Sequence, residues 1–208
     1  MLLIIKKNDL KNNKKYFLKT GANDYFNRNK DKIINFKNEL LSKVILNNLN
    51  NKIINVLEVG CGDASRLSYL SRKYKKINFF GVDPFGAALK NKKIFLKKAT
   101  ADKLPFKKNF FDVIIYGFCL YLTDNQDLIK IVFEADRVLK KNGIIIILDF
   151  YSKKIEYRKF SHKHGHYVRK MDYSKLFSWS PNYKVLSFKK EKYEKKDYTA
   201  VISLKKSY

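Results

Sequence analysis

Short hydrophobic runs alternate with segments of helical spacing through the middle of the chain. The runs are continuous, which is typical of strands buried on both faces. Five of them occur, at 53–59, 77–83, 94–96, 111–118 and 144–150. The helix predicted before the fifth run ends at Gly143, where a left-handed C-terminal residue belongs. This alternation predicts an α/β fold with a parallel sheet covered by helices.

The two ends of the chain follow other patterns. Helical spacing from about residue 24 to 50 predicts a leading helical segment. The stretch 151–171 is polar and aromatic and contains all three histidines. Two further runs, 183–189 and 198–204, are joined by a charged stretch and predict a terminal β-hairpin. With 208 residues, 45% of them hydrophobic, the chain is long and apolar enough for one domain with a buried core.

The formal net charge of +26 raises the question of a nucleic-acid or anionic membrane partner. The composition weakens that interpretation, because 39 Lys accompany only 6 Arg, together with 19 Asn and 19 Ile. Phosphate recognition favours Arg for its bidentate fork, whereas joint enrichment in Lys, Asn and Ile is what A+T-rich coding produces. We therefore expect a solvated basic surface and no specific nucleic-acid partner.

Cysteine and histidine usage bounds the class of protein further. Cys61 and Cys119 lie in apolar or glycine-rich segments, so we expect neither a disulfide scaffold nor a metal site. His162, His164 and His166 alternate in one stretch without Cys or nearby Glu, which favours solvent exposure over a metal cluster. The chain shows no signal-peptide pattern and no apolar run long enough to span a membrane. We expect a cytoplasmic protein.

A glycine turn marks the candidate ligand site. Gly60-Cys61-Gly62 follows the first run and precedes a helix, so a ligand can approach the backbone there. Asp83 ends the second run, where an acidic residue can bind a ribose. Glu58 would face a dinucleotide pyrophosphate at an unfavourable Coulomb energy, but it suits the cationic, phosphate-free S-adenosyl-L-methionine. The alternative is that Glu58 only caps or orients the turn.

Five segments, in order and spacing, resemble the successive motifs of class I S-adenosylmethionine-dependent methyltransferases. They are 58–62, 81–84, 101–106, 111–114 and 137–143. Three further segments are similar to small bacterial methyltransferases whose acceptor is usually unassigned, namely 25–29, 117–122 and 170–173. The resemblance implies a three-layer Rossmann-like methyltransferase fold with a seven-stranded, mostly parallel sheet. Its last strand should insert antiparallel, as the predicted hairpin independently supports.

We expect the whole chain, 1–208, to form a single methyltransferase domain. Its parts are an N-terminal helical segment (1–50), a cofactor-binding core (51–150), an acceptor-side insertion (151–180) and a terminal β-hairpin (181–208). The insertion follows the fifth strand, where the ligand crevice of such a sheet opens.

The resemblance implies a cofactor site for S-adenosyl-L-methionine. Its expected residues are Glu58, Gly60, Cys61, Gly62, Asp83, Pro84, Thr100, Ala101, Asp102, Tyr116 and Phe118. The two glycines would pack against the methionine part, with Glu58 ordering their loop, and Asp83 would bind the ribose hydroxyls.

The adenine end of the site is less fixed by the resemblance. Pro84 and Phe85 would touch the adenine ring. The family often has Asp at the position of Thr100, so either Thr100 or Asp102 takes the adenine amino group. The segment 116–118 would line the cofactor floor. The turn 141–143 replaces the usual Pro-Gly-Gly, and its Asn tolerates the same backbone.

Methyl transfer from a sulfonium is an in-line displacement, so positioning is the main requirement. A general base is needed only if the acceptor enters protonated. The candidates for that base are Tyr121, Asp149, His162, His164 and His166. For direct acceptor contacts we select His162, His166 and Tyr173, with local packing as the alternative.

The leading segment and the acceptor complete the prediction. Tyr16, Phe17, Tyr25 and Phe26 either form an aromatic lid over the cofactor or pack on the sheet. The expected acceptor is a small molecule, for example an oxygen of a sugar or another metabolite. The alternatives are an RNA or ribosomal-protein methyltransferase and a non-catalytic binding protein. The oligomeric state is left open.

Overall fold

The computed structural model describes residues 12–29, 34–84, 94–194 and 197–208. Phe85, one of the residues expected at the adenine, lies outside them. The α-helices are α1 (Asn13–Tyr16), α2 (Ala22–Asn29), α3 (Leu40–Asn48), α4 (Ser65–Lys73), α5 (Leu128–Val138) and α6 (Lys175–Ser178). A π-helical turn, Phe17–Gly21, joins α1 to α2, and two 3-10 turns, Leu120–Leu122 and Asn125–Asp127, precede α5.

Nine β-strands form two sheets. The strands are β1 (Asn55–Val59), β2 (Asn78–Asp83), β3 (Phe95–Lys98), β4 (Phe111–Gly117), β5 (Leu139–Tyr151), β6 (Glu156–Lys159), β7 (Tyr167–Lys170), β8 (Tyr183–Glu194) and β9 (Asp197–Lys206). The main sheet has the order β3-β2-β1-β4-β5-β9-β8, and β6 pairs with β7 in a separate ribbon.

The topology of the main sheet confirms the expected α/β, Rossmann-like arrangement. Strands β1 to β5 pair in parallel. The last strand, β9, inserts antiparallel between β5 and β8. The carboxyl ends of β1, β2 and β4 therefore meet at one edge of the sheet, with β1 between the other two. This edge is where open α/β sheets bind ligands.

Hydrophobic side chains of the strands pack on both faces of the sheet. Leu57, Ile114 and Ile147 belong to one buried cluster, which includes side chains of α5 and α6. Val56 and Val113 belong to a second buried cluster, with side chains of α3 and α4. Burial on both faces explains why these strands read as continuous apolar runs.

The turn from α5 into β5 differs from the sequence prediction. The helix ends at Val138, and Leu139 already pairs with Phe111 in the sheet. The left-handed residue is Asn142, with φ of 61°, and not Gly143. Gly143 serves close packing instead, because a Cβ there would lie 2.6 Å from Leu139 Cδ1. Asn tolerates the left-handed backbone, so the turn forms without glycine at that position.

The segment after β5 is more regular than its sequence pattern indicates. It contains the antiparallel β6–β7 ribbon and the short helix α6. The terminal hairpin is also longer than predicted, because β8 and β9 remain paired as far as Glu194 and Asp197. No helix in the described parts of the chain is long and apolar enough to cross a membrane.

Candidate active site

A cavity of about 460 Å³ lies at the carboxyl ends of the parallel strands. One wall comes from the strand ends and the loops after them, and includes Val59, Gly60, Gly62, Asp83, Thr100 and Gly117. The leading segment supplies the other wall, which is largely aromatic and includes Phe17, Tyr25, Phe26, Ile34 and Phe36. The size suits a small-molecule or cofactor site.

The glycine turn after β1 forms the floor of this cavity. Gly60 and Gly62 have φ of 74° and 55°, in the left-handed region that glycine occupies without a steric cost. The Gly60 amide donates to Val82 O at 2.8 Å, and the Gly62 amide donates to Asp83 Oδ2 at 2.9 Å. Asp83 therefore ties the turn to β2 while it also lines the cavity.

A third left-handed residue extends the turn. Ala64 has φ of 61° and is fully buried. A dinucleotide-binding fingerprint that began at Gly60 would have its third glycine at the position of Ser65. The left-handed position is one residue earlier and is occupied by Ala, at some backbone cost.

Glu58, in the last part of β1, is buried and is not among the described residues that line the cavity. Its side chain is 1% exposed, and Oε1 accepts a hydrogen bond from Arg66 Nη1. Burial raises the pKa of Glu58 to about 7. Both interpretations of Glu58, that it disfavours a pyrophosphate and that it only caps or orients the turn, therefore stay predictions.

The segment expected at the adenine lies against the leading helix. Thr100, Ala101 and Asp102 line the cavity, as does Lys14, whose Nζ pairs with the Asp102 carboxylate. Burial would raise the pKa of Asp102, but hydrogen bonds from Lys14 and Thr100 outweigh that effect and lower it. Pro84 lines the cavity as well.

The end of β4 contributes some of its expected floor residues. Gly117 and Phe118 line the cavity together with Cys119. Tyr116 does not, because its side chain is fully buried in the core cluster on one face of the sheet. Phe118 has φ of 51°, which is a strained conformation for a bulky residue. Such strain often accompanies a ligand site.

Tyr121 and Asp149 hold the loop that follows β4. Asp149 is 1% exposed and accepts hydrogen bonds from the amides of Leu120 and Tyr121, at 2.9 and 3.2 Å. Burial raises the pKa of Asp149 to about 7. Tyr121 is buried against Phe150, with ring centroids 5.0 Å apart. Neither side chain is among the described residues that line the cavity.

The structure places the three acceptor candidates of the insertion away from the cavity. Tyr173 is 1% exposed, and its hydroxyl donates to Arg169 O at 2.7 Å. His166 is buried, with Nδ1 2.8 Å from Asn13 Oδ1. His162 packs edge-on against Phe160. No described residue of 151–180 lines the cavity, so these positions correspond to the local-packing alternative.

The four aromatic residues singled out in the leading segment fall into two groups, because three of them line the cavity and one is buried in the core. Phe17, Tyr25 and Phe26 line the cavity. Tyr16 is buried, and its hydroxyl donates to Asp24 Oδ2 at 2.9 Å.

His164 is exposed on the loop between β6 and β7. Within the described ranges, no group of three or more His, Cys, Asp or Glu side chains is placed to hold a metal ion.

Several residues important to the site were not singled out by the sequence analysis. Arg66 and Glu39 line the cavity and pair with each other. Arg169 anchors the loop after β4, and Asn13 links Asp124 to His166. Arg66 could have been found from its position, because it is a charged residue in the first turn of the helix that follows the glycine turn. The others are isolated polar residues in polar stretches, which carry no directional signal.

The family of the chain is indicated by sequence comparison. Residues 57–147 match the model of a family described as "Methyltransferase domain". A ubiquinone/menaquinone biosynthesis C-methyltransferase, UbiE, from Coxiella burnetii is 43% identical to this chain over 53 residues. The matched stretch covers 26% of this chain and only 20% of that relative, about a fifth of its length.

Similarity to solved structures extends along more of the chain. An S-adenosylmethionine-dependent methyltransferase from Methanosarcina mazei has a TM-score of 0.63 at 17% identity and covers 79% of this chain and 97% of its own. A 1,6-didemethyltoxoflavin-N1-methyltransferase from Burkholderia thailandensis, solved with 1,6-didemethyltoxoflavin and S-adenosylhomocysteine, has a TM-score of 0.68 at 13% identity. Its match covers 90% of this chain and 87% of its own. Residues 57–147 thus match a methyltransferase family model, and the fold is similar to that of solved S-adenosylmethionine-dependent methyltransferases.

Proposed function

We propose that this chain transfers a methyl group from S-adenosyl-L-methionine to a small-molecule acceptor. The observation that carries the proposal is the cavity of about 460 Å³, which joins the glycine turn and Asp83 on one wall to an aromatic wall on the other. When bound, the cofactor supplies a methyl group already activated on its sulfonium. The protein then has to hold the acceptor atom in line with that methyl group.

The residues of the strand-end wall fit the cofactor. Gly62 leaves room for a ligand to approach the backbone of the turn, because no described atom lies within 4 Å of the position that a Cβ would take, whereas Gly60 packs against Cys119. Asp83 offers a carboxylate for ribose hydroxyls, and Thr100 and Asp102 offer oxygens for an adenine amino group. We propose that residues 51–150 form the cofactor-binding part of a single domain over 1–208.

The aromatic wall supports a small acceptor with apolar surface. Among the described residues, the lining outside the expected cofactor positions comes mainly from the leading segment and the loop after β4. We therefore assign the acceptor side to Phe17, Tyr25 and Phe26, and no longer to 151–180. An acceptor oxygen that enters protonated has the carboxylates of the cavity lining as bases, since no histidine is among the described lining residues.

RNA methylation is the second candidate, favoured only by the net charge of +26. The predominantly acidic lining of the cavity, as far as the structure describes it, argues against an RNA acceptor. Among the described lining residues, six are acidic, namely Glu39, Asp63, Asp83, Asp102, Asp124 and Asp127, and two are basic, Lys14 and Arg66. A phosphate backbone entering such a cavity would be repelled. A non-catalytic role is opposed by the intact glycine turn and Asp83.

Calorimetry and a transfer assay test this proposal. S-adenosylhomocysteine should bind the wild-type protein and NAD should not. Asp83→Ala should weaken S-adenosylhomocysteine by roughly 1–3 kcal/mol through the lost ribose hydrogen bonds, whereas Glu191→Ala, at an exposed position of β8, should have no effect. Label from methyl-labelled cofactor should appear in a metabolite extract. NAD binding without S-adenosylhomocysteine binding would contradict the cofactor, and salt-resistant labelling of RNA would favour the second candidate.

A further inference from the structure

Two glutamates hold Arg66 at the cavity. Its Nε and Nη2 donate to the Glu39 carboxylate at 3.1 and 2.7 Å, as a two-pronged fork. Its Nη1 donates to Glu58 Oε1. The Arg66 side chain is 13% exposed and lines the cavity. The plane and position of the guanidinium are therefore set before a ligand binds.

The guanidinium keeps donors for a ligand. It carries five N–H groups, of which the two glutamates take three. The other two, one on Nη1 and one on Nη2, have no acceptor among the described residues. Arginine binds a carboxylate through two N–H groups at once. Arg66 can therefore receive one additional carboxylate.

Gly117 brings the guanidinium to the glycine-turn end of the cavity. A Cβ at Gly117 would lie 3.0 Å from Arg66 Nη1 and 3.4 Å from Glu58 Oε1. Gly117 ends β4, which pairs with β1, and β1 runs directly into Gly60. The charge of Arg66 thus lies beside the turn that the family resemblance assigns to the methionine part of the cofactor.

At the glycine-turn end of the cavity, Arg66 is the basic residue of the described lining that can bind an anionic group of a ligand. Arg66 and Lys14 are the two basic side chains among the described lining residues. Lys14 pairs with Asp102, and its Nζ lies 3.8 Å from Asp127 Oδ2. The charge of Lys14 is therefore matched by these carboxylates at the end of the cavity expected for the adenine. A carboxylate enters a cavity lined by acidic residues only where a cation receives it.

We infer that Arg66 binds the α-carboxylate of the amino-acid part of S-adenosyl-L-methionine. One N–H of Nη1 and one of Nη2 donate to the carboxylate, while Glu39 and Glu58 hold the guanidinium in place. This inference rests on the proposed function, because it assumes that the cavity takes this cofactor.

Truncating the ligand separates carboxylate binding from a structural role. S-adenosylhomocysteine contains the amino-acid part, and 5′-methylthioadenosine lacks it. Both are titrated calorimetrically into the wild type, Arg66→Gln, Arg66→Lys and the control Arg72→Gln, at an exposed position of the same helix. Arg66→Gln should weaken S-adenosylhomocysteine about tenfold or more and change 5′-methylthioadenosine less than about twofold. Arg66→Lys should be intermediate, and Arg72→Gln should match the wild type.

Two results would overturn the inference. One is an equal loss for both ligands, which indicates a structural role, and the other is unchanged S-adenosylhomocysteine binding. Arg66→Lys keeps the charge beside both glutamates, so it decides the question even if Arg66→Gln does not fold. The wild-type titrations test the proposed function separately, because the absence of binding of both ligands to the wild type would contradict S-adenosyl-L-methionine as the cofactor.

Discussion

Gly81 is a point of close approach between β2 and the glycine turn. A Cβ at this position would lie 2.6 Å from both Cys61 Sγ and Leu96 Cδ2, and 3.1 Å from Leu67 Cδ1. Its φ lies outside the left-handed region, so the requirement for glycine here is one of space. The turn that carries the candidate cofactor site is thus packed directly on the second strand.

Gly81→Ala should lower the free energy of unfolding by about 1–3 kcal/mol, the usual cost of overpacking a core. Urea denaturation of the folded protein measures the change. In a Cys61→Ala background the same substitution should cost less, because the Sγ contact is gone. Additive costs for the two substitutions, or an unchanged urea midpoint, would contradict this account of Gly81.

Individual residues show where sequence reasoning succeeds and where it stops. Gly60, Gly62 and Asp83 were predicted at the ligand site because glycine and acidic residues after strands have few alternative uses, and all three line the cavity. Ala64 was not predicted to be left-handed, since no residue type demands that backbone there. The burial of Tyr116 in the core, away from the cavity, could not be predicted, because a continuous apolar run does not say which side chains at the end of a buried strand meet a ligand.

At the scale of elements, β7 stabilises the loop after β4, which forms part of the cavity wall. Arg169, which is 2% exposed, donates to Leu120 O at 3.1 Å and to Thr123 O at 3.3 Å. It also donates to Thr123 Oγ1 and Asn125 Oδ1, at 3.1 and 2.5 Å. Thr123 lines the cavity. The insertion therefore affects the site by fixing a loop, although it supplies no described lining residue.

Arg169→Gln should lower the free energy of unfolding by about 3 kcal/mol, because several buried acceptors lose their donor at a cost of about 1–3 kcal/mol each. Arg158→Gln is the matched control in the neighbouring strand β6. Arg158 is 46% exposed in its ion pairs, so its loss should cost less than about 1 kcal/mol. Thermal or urea unfolding compares the two variants. Equal effects would show that Arg169 does not brace the loop.

The role of this insertion illustrates why element-level prediction was incomplete. Its polar and aromatic residues follow the fifth strand, which indicates a position near the ligand crevice. The sequence contains no sign that His166 and Arg169 turn inward to bond Asn13 and the loop after β4. Those contacts join residues far apart in the chain, so they depend on the folded sheet.

For the whole molecule, a seven-stranded sheet with an inserted antiparallel last strand could be predicted, and the distribution of charge could not. The family resemblance implied the inserted antiparallel strand β9 and the final hairpin supported it, and the structure confirms it. The net charge of +26 gave no hint that acidic residues outnumber basic ones six to two among the described residues of the cavity lining. Two further carboxyl groups, Glu58 and Asp149, are buried in the interior.

These buried carboxyls make stability depend on pH. Burial raises the pKa of both Glu58 and Asp149 to about 7. The folded protein therefore holds protons that the unfolded chain, with carboxyl pKa values of about 4, has released. Their contribution to stability is full below about pH 4 and is lost as pH rises through about 7, at up to ~1.4 kcal/mol per pH unit for each group. Carboxyls with lowered pKa, such as Asp102, act in the opposite direction and at more acidic pH.

Asp149→Asn tests this dependence, because the amide cannot ionise but retains an oxygen that can accept the amide hydrogen bonds of Leu120 and Tyr121. The free energy of unfolding is measured in urea at pH 5, 6, 7 and 8 for the wild type, Asp149→Asn and the exposed control Glu191→Gln. Between pH 5 and 7 the wild type should lose stability more steeply than Asp149→Asn, by ~1.4 kcal/mol per pH unit at most. Glu58 remains in the variant, so part of the slope should persist. Parallel curves for the wild type and Asp149→Asn would show that Asp149 stays ionised in the folded protein across this range.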